Sequence, residues 1–166
     1  MTVLRAEELT TDTFSAFGHV IEQPAREQDA DGPGWQWWAE TSSLRSDGRP
    51  WTFGYLHLRT APLRFDWAER HLRTQEVVLA GSSDVVVYVG PADPDQPDRL
   101  PPLESFRAFR VPAGRGIVME PGVWHGAPLA LGDDCNAVVL LLEGTGRDDV
   151  VVVRFEEEPV DIEMKS

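Results

Sequence analysis

The sequence predicts an all-β fold, a closed barrel or a sandwich of short strands. Three observations point there. Apolar residues alternate with polar ones, or run continuously, over many short segments. Gly and Pro clusters separate those segments, and one segment alone reads as a helix. At 166 residues the chain is most simply one domain. We divide it into a strand-helix opening (1–22), a Trp-rich loop region (23–50), a barrel (51–155) and an acidic tail (156–166). The hydrophobic content of 42% supports a packed core.

Residues 2–22 give a strand and then a helix. Thr10 or Thr11 can cap it, Asp12 suits its positive end and Gly18 can close it. Phe14 and Phe17 dock on one side, His19 is expected at the surface, and Val20-Ile21 begins a strand. Residues 23–50 are broken by Pro24, Gly32, Pro33, Gly34, Gly48 and Pro50. Among them, Trp35 and Trp37 share a face and Trp38 takes the other. They plug a barrel end, line a subunit interface or form a lid over a ligand. Residues 51–59 alternate with apolar residues on both faces, so this strand is expected to be covered on both sides. Its His57 is either a core histidine with a backbone partner or directed into a pocket.

Leu63, Phe65 and Trp67 alternate with Arg64, Asp66 and Ala68. The same face continues to Glu69 and His71, and an apolar stripe ending in a carboxylate and an imidazole suits the lip of a pocket. Gln75, with Val77 and Leu79 as same-face partners, is expected to converge with Glu69 and His71. Val85 to Val89 is a buried strand with Tyr88 as a polar handle, and Pro91 to Pro102 is an exposed loop. In the next strand Phe106, Ala108 and Arg110 oppose Arg107, Phe109 and Val111. One of Arg107 and Arg110 therefore points inward. It either clamps a carboxylate bidentately or makes a salt bridge.

The turn at Pro121-Gly122 throws His125 back toward the sheet, with Trp124 facing the other way. Ala137 to Leu142 is an apolar strand, Gly144-Thr145-Gly146 a turn, and Val150 to Phe155 the last strand. His71 and His125, on separate hairpins, suit a metal cage better than a triad.

A formal charge of −13 and a pI near 4.6 argue against nucleic acid and anionic membrane surfaces as partners. The lone Cys135 excludes an internal disulfide and reads as a small, inert residue. No apolar stretch approaches membrane-spanning length. Arg5, Glu7 and Glu8 stand where a signal peptide would need an apolar run, so a cytoplasmic location is expected.

Glu69-x-His71, Gln75 and Gly81 resemble a degenerate first cupin motif, and Pro121-Gly122-x-x-His125 resembles the second. More specifically, Glu69-Arg70-His71 with Thr74-Gln75, then Val123-Trp124-His125, are similar to the ureidoglycolate lyase family. So are Leu9-Thr10 through Phe14, Phe17-Gly18, Val20-Ile21-Glu22 and Leu103 through Phe109. The chain departs from that family at Leu72 and Arg73, at Val118-Met119-Glu120 and at Gly126, where two of the family's histidines are replaced.

The resemblance implies a cupin-type jelly-roll barrel. It implies a lyase that splits ureidoglycolate, or a related small hydroxy or keto acid, into glyoxylate and urea or their counterparts. It implies a divalent metal (Zn, Ni, Mn or Fe) on His71, Gln75 and His125, weak or absent because Gln gives up a charge. Glu69 and Glu120 are then the acid-base candidates, and Arg107, Arg110 and Trp124 the substrate contacts. The remaining partner implied is a second copy, in a homodimer. The alternatives are a non-catalytic small-molecule-binding cupin, or a metal-dependent oxygenase or isomerase.

Overall fold

The computed structural model describes residues 2–156 and 158–165. In chain order the strands are β1 (Val3–Glu8), β2 (Gly18–Ile21), β3 (Ala30–Gly32), β4 (Trp35–Trp37), β5 (Trp51–Leu58), β6 (Arg64–Phe65), β7 (Trp67–Arg70), β8 (Glu76–Ala80), β9 (Val85–Gly90), β10 (Arg107–Val111), β11 (Gly116–Met119), β12 (Trp124–His125), β13 (Leu129–Ala130), β14 (Cys135–Leu142), β15 (Val151–Arg154) and β16 (Val160–Met164). Two four-residue helices, α1 (Thr11–Phe14) and α2 (Thr145–Asp148), interrupt them. A nine-stranded sheet runs β15-β7-β12-β9-β10-β1-β16-β6, with β13 also on β9. A five-stranded sheet runs β2-β11-β8-β14-β5. The two curled sheets form the cupin-type jelly roll, as the sequence predicts.

Two apolar cores explain the strand patterns. The first fills the space between the sheets, with Phe14, Phe17, Val78, Phe109, Ile117 and Val139. The second lies on the other face of the nine-stranded sheet, with Phe65, Ala68, Phe106, Trp124 and Val160. β9 separates them. Val85, Val87 and Val89 enter the first core while Val86 and Tyr88 enter the second. A strand buried on both faces reads as a continuous apolar run, which is why 85–89 shows no alternation.

The nine-stranded sheet curls far enough to bring its ends together. β6 and β7 are separated by Asp66 alone, yet β6 ends the sheet at one side and β7 is next to last at the other. At this seam Phe155 N–H donates to the Asp66 carbonyl (2.8 Å), and the Phe65 and Phe155 rings meet at 5.7 Å. The step breaks the expected single face through Phe65, Trp67 and Glu69. Phe65 and Ala68 enter the second core, so Glu69 faces the opposite way from Ala68.

Other elements also differ from expectation. α1 has only four residues, closed at its start by a reciprocal Thr10–Thr13 capping box. Gly18 opens β2 instead of closing the helix. The expected turn at 144–146 is the start of α2. β5 is not covered on both sides. It is an edge strand, with Phe53 76% and Tyr55 70% exposed. His57, on the same outer face, is exposed beside Asp134 at 3.8 Å. His19 is half-buried against Ser42 at 2.7 Å. The Trp segment forms the β3–β4 hairpin, where Trp35 and Trp37 are more than half exposed and plug nothing. No helix among the described residues is long and apolar enough to cross a membrane.

Candidate functional site

Four side chains converge at one end of the space between the sheets. β7 supplies Glu69. The 71–75 crossover between sheets supplies His71, Glu76 opens β8, and β12 supplies His125. Glu69 and His125 are cross-strand partners and so share a face. Gly122 fixes the approach of β12. Its φ of +87° makes the turn after Pro121, and its N–H donates to the His71 carbonyl at 2.6 Å. The two histidine segments are thus bonded through the backbone before their rings meet.

One carboxylate oxygen organises the cluster. Glu76 Oε2 lies 2.9 Å from His125 Nε2 and 3.2 Å from His71 Nε2. The rings stand 5.2 Å apart, and donor atoms of Glu69, His71 and His125 all lie within 4.8 Å of one another. Each Nδ1 faces a carbonyl: Asp149 O at 2.7 Å for His71 and Val123 O at 2.9 Å for His125. A carbonyl only accepts, so each Nδ1 carries a hydrogen. His125 also donates from Nε2 to Glu76, which makes it an imidazolium. His71 Nε2 is buried with no hydrogen-bond partner among the described residues.

The electrostatics agree. Burial drives the Glu76 carboxyl up, but the His125 charge, and then His71, outweigh it and bring the pKa down to about 2. Burial drives His125 down, but Glu76 outweighs that, helped by the Val123 carbonyl and Glu69, and lifts it to about 9. A cavity of about 270 Å³ opens beside the cluster, lined in part by Tyr55, Leu56, Glu69, Glu76, Pro128 and Leu141. Its lining holds two carboxylates and no lysine or arginine.

The structure brings Glu69, His71 and His125 together and sends the other predicted site residues elsewhere. Gln75 precedes β8 and turns away from the cluster that Glu76 joins. Its Oε1 accepts from Arg45 N–H (2.9 Å) and its Nε2 donates to Glu120 Oε1 (2.9 Å). Glu120 is also paired with Arg45, so it belongs to this outer latch and not to the cluster. Arg107 clamps Glu7 through two hydrogen bonds (2.7 and 2.8 Å) and lies over Phe109. Arg110 pairs with Asp84 at 2.6 Å. The expected substrate clamp is therefore two structural salt bridges. Trp124 is fully buried in the second core, on the far side of β12 from His125.

Glu76 is the residue that the sequence reading missed. The period of two was carried through residues 71–75, which are not strand, and so landed on Gln75. The signal was chemical: of two adjacent candidates, Glu76 alone is a charged oxygen donor. Gly126 also has a local cause. A Cβ there would collide with the Tyr88 hydroxyl, which donates to Trp67 O at 3.0 Å.

A model of the ureidoglycolate lyase family matches residues 1–163. The chain belongs to the ureidoglycolate lyase family. The ureidoglycolate lyase of Schizosaccharomyces pombe (strain 972 / ATCC 24843) is 24% identical over 181 residues, covering 96% of this chain and 95% of that protein. That of Burkholderia mallei (strain NCTC 10229) is 30% identical over 155 residues, covering 89% and 87%. That of Azotobacter vinelandii (strain DJ / ATCC BAA-1303) is 29% identical over 153 residues, covering 88% and 89%.

In this member of the family the cluster fits a divalent cation. Donor atoms about 2.1 Å from one metal stand roughly 3 Å apart, and the two Glu76–imidazole distances, 2.9 and 3.2 Å, have that spacing. The Nε2 of His71 is buried without a hydrogen bond, 3.2 Å from a carboxylate oxygen, and a divalent cation held by both atoms would satisfy them.

Proposed function

We propose that this protein is a lyase that cleaves ureidoglycolate to glyoxylate and urea. The observation that carries the reading is the meeting of His71 and His125 over one oxygen of Glu76, beside a small cavity, in a chain matched to the family over residues 1–163.

His71, Glu76 and His125 would hold a divalent cation, and the donor set of two imidazoles and a carboxylate suits Zn, Ni, Mn or Fe(II). Such an ion, when bound, supplies a positive anchor for the substrate's carboxylate and hydroxyl oxygens and acidifies the hydroxyl. Glu69 is less buried than Glu76 and lines the cavity, so it is the group that meets substrate. Its carboxylate takes the carbinol hydroxyl proton. As the C–O bond becomes C=O, the C–N bond breaks and its electron pair leaves on the urea nitrogen. Glu69 returns its proton to that nitrogen. One carboxylate thus serves as base and then acid, and no water is consumed. Leu56, Pro128 and Leu141 supply the apolar wall that limits competing solvent.

The test is release of glyoxylate from ureidoglycolate by protein reconstituted with each metal in turn. Glyoxylate at no more than the spontaneous rate would remove the lyase reading.

Two finer expectations go with this reading. The protein acts as a homodimer, and the open outer face of β5, with Phe53 and Tyr55, is the surface that a second copy covers. It works in the cytoplasm, where its single buried cysteine, Cys135, stays a free thiol.

A further inference from the structure

Two segments carry the chain between the sheets beside the cluster. Residues 71–75 pass from β7 in the nine-stranded sheet to β8 in the five-stranded sheet. Residues 143–150 pass back from β14 to β15. One residue ties these crossovers together. Asp149 accepts from His71 Nδ1 with its carbonyl (2.7 Å), from Leu72 N–H with Oδ1 (2.9 Å) and from Arg73 N–H with Oδ2 (2.8 Å). Its own N–H closes α2 onto Thr145 O at 3.0 Å. Thr145 Oγ1 in turn anchors the helix to Leu142 O at 2.6 Å.

We infer that Asp149 is the positioning residue that fixes the aim of His71. A carbonyl against Nδ1 keeps a hydrogen on that nitrogen, so Nε2 is the ring atom available to a metal. The carboxylate grips the two peptide groups that follow His71, so the backbone carrying the ring cannot rotate away. Asp149 is only 6% exposed, and a buried carboxylate persists where its oxygens are bonded. Together the three contacts direct Nε2 toward Glu76 Oε2 and leave it unpartnered. The grip on Leu72 needs a residue with an N–H, which a proline at 72 would lack. The role in ring geometry stands on these contacts alone; only its consequence for metal binding rests on the proposed metal chemistry.

The test has two readouts on the full-length protein. The first is ¹⁵N imidazole NMR of the metal-free protein, comparing wild type, Asp149→Asn and an Asp148→Asn control. The second is zinc affinity by competition with a chelating dye. In wild type His71 should show a single Nδ1–H tautomer. Asp149→Asn replaces one acceptor with an amide donor facing an N–H. The main-chain carbonyl remains, but the backbone that carries the ring is released, so the His71 ring signals should shift or broaden and zinc should weaken roughly 10- to 100-fold, the range for a lost partner behind a metal ligand. The His125 signals and the far-UV spectrum should stay unchanged, and Asp148→Asn should match wild type throughout. Asp149→Ser, a smaller acceptor, replaces the Asn variant if that does not fold. His71 ring signals unchanged from wild type in Asp149→Asn or Asp149→Ser overturn the inference. Wild-type protein that binds no zinc overturns the metal reading instead, while the NMR comparison still decides the role of Asp149.

Discussion

The Glu76 carboxylate and the His125 imidazolium form a buried ion pair at 2.9 Å, and each shifts the other's proton affinity. The sign of each effect on stability follows from the direction of the shift. Glu76 is depressed to about 2, below an unfolded value of about 4.3. Its contribution is full above the unfolded value and is lost as pH falls toward 2. His125 is raised to about 9, above an unfolded value of about 6.5. Its contribution is full below the unfolded value and is lost as pH rises through 9. Metal-free protein should therefore be most stable between about pH 4.3 and 6.5. Glu7 and Asp84, whose carboxyls Arg107 and the Ala113 N–H hold down, add to the acid arm. The alkaline arm is the diagnostic one. Chelator-treated wild type should lose melting temperature steadily from pH 6.5 to 9, and Glu76→Gln should flatten that slope. A slope that Glu76→Gln leaves intact would mean that the pair is not what titrates.

The two carboxylates of the site should separate by readout. Glu76 contacts both Nε2 atoms, whereas Glu69 faces the cavity. Glu76→Gln, His71→Ala and His125→Ala should each lose stoichiometric metal. Glu69→Gln should keep the metal and lower kcat by roughly 100- to 10,000-fold, the usual worth of a positioned base. Metal analysis and single-turnover glyoxylate release measure the two independently. Loss of metal in Glu69→Gln would make Glu69 a ligand, and the relay would have to be assigned to another group.

Which of these residues the sequence revealed depends on whether regular structure lies between them. Glu69 and His125 were legible because each sits on a strand and comes next to a clear turn or pattern. The buried β9 was legible from its continuous apolar run. Glu76 was not, because five irregular residues erase strand parity between 71 and 76. Asp149 was invisible. Its role comes from a crossover 78 residues away, and no local pattern marks such a contact. Arg107 and Arg110 show the opposite failure. Their alternation was read correctly, but the acids that take them, Glu7 and Asp84, arrive from elsewhere in the chain.

Removing those arginines should leave substrate affinity almost untouched. Arg107→Ala breaks a clamp on Glu7 that braces β10 against β1, and Arg110→Ala frees Asp84. KM for ureidoglycolate should change by less than about twofold, with only small losses of stability because both pairs are partly exposed. Trp124→Ala should instead destabilise by about 3–5 kcal/mol, as a large cavity in the second core demands. Urea denaturation and steady-state kinetics on the three variants check this. A large rise in KM for either arginine variant would restore it as a substrate contact.

The exposed edge of the five-stranded sheet should set the oligomeric state. β5 pairs with β14 along one edge and leaves its other edge open, with Phe53 and Tyr55 outward and no proline or lysine to discourage pairing. Phe53→Glu with Tyr55→Glu should convert a dimer to a monomer in light scattering. The fold should survive, because neither side chain belongs to a core. Wild type that is already monomeric at micromolar concentration would refute the assignment of this face.

Gly126 follows His125, in the position where the family tends to carry a further histidine, and its emptiness is imposed by Tyr88. The Tyr88 ring stacks on Phe65 at 3.8 Å and its hydroxyl donates to Trp67 O, so it cannot swing aside cheaply. Any side chain at 126 meets that hydroxyl. Gly126→Ala should cost about 1–3 kcal/mol, the usual range for overpacking. Tyr88→Phe removes the oxygen that collides, and also one hydrogen bond to a backbone carbonyl. The double variant Tyr88→Phe/Gly126→Ala should therefore be more stable than the sum of the two single losses, by on the order of 1 kcal/mol. Strict additivity in the alanine cycle would show that Tyr88 does not occupy the space that a residue at 126 needs.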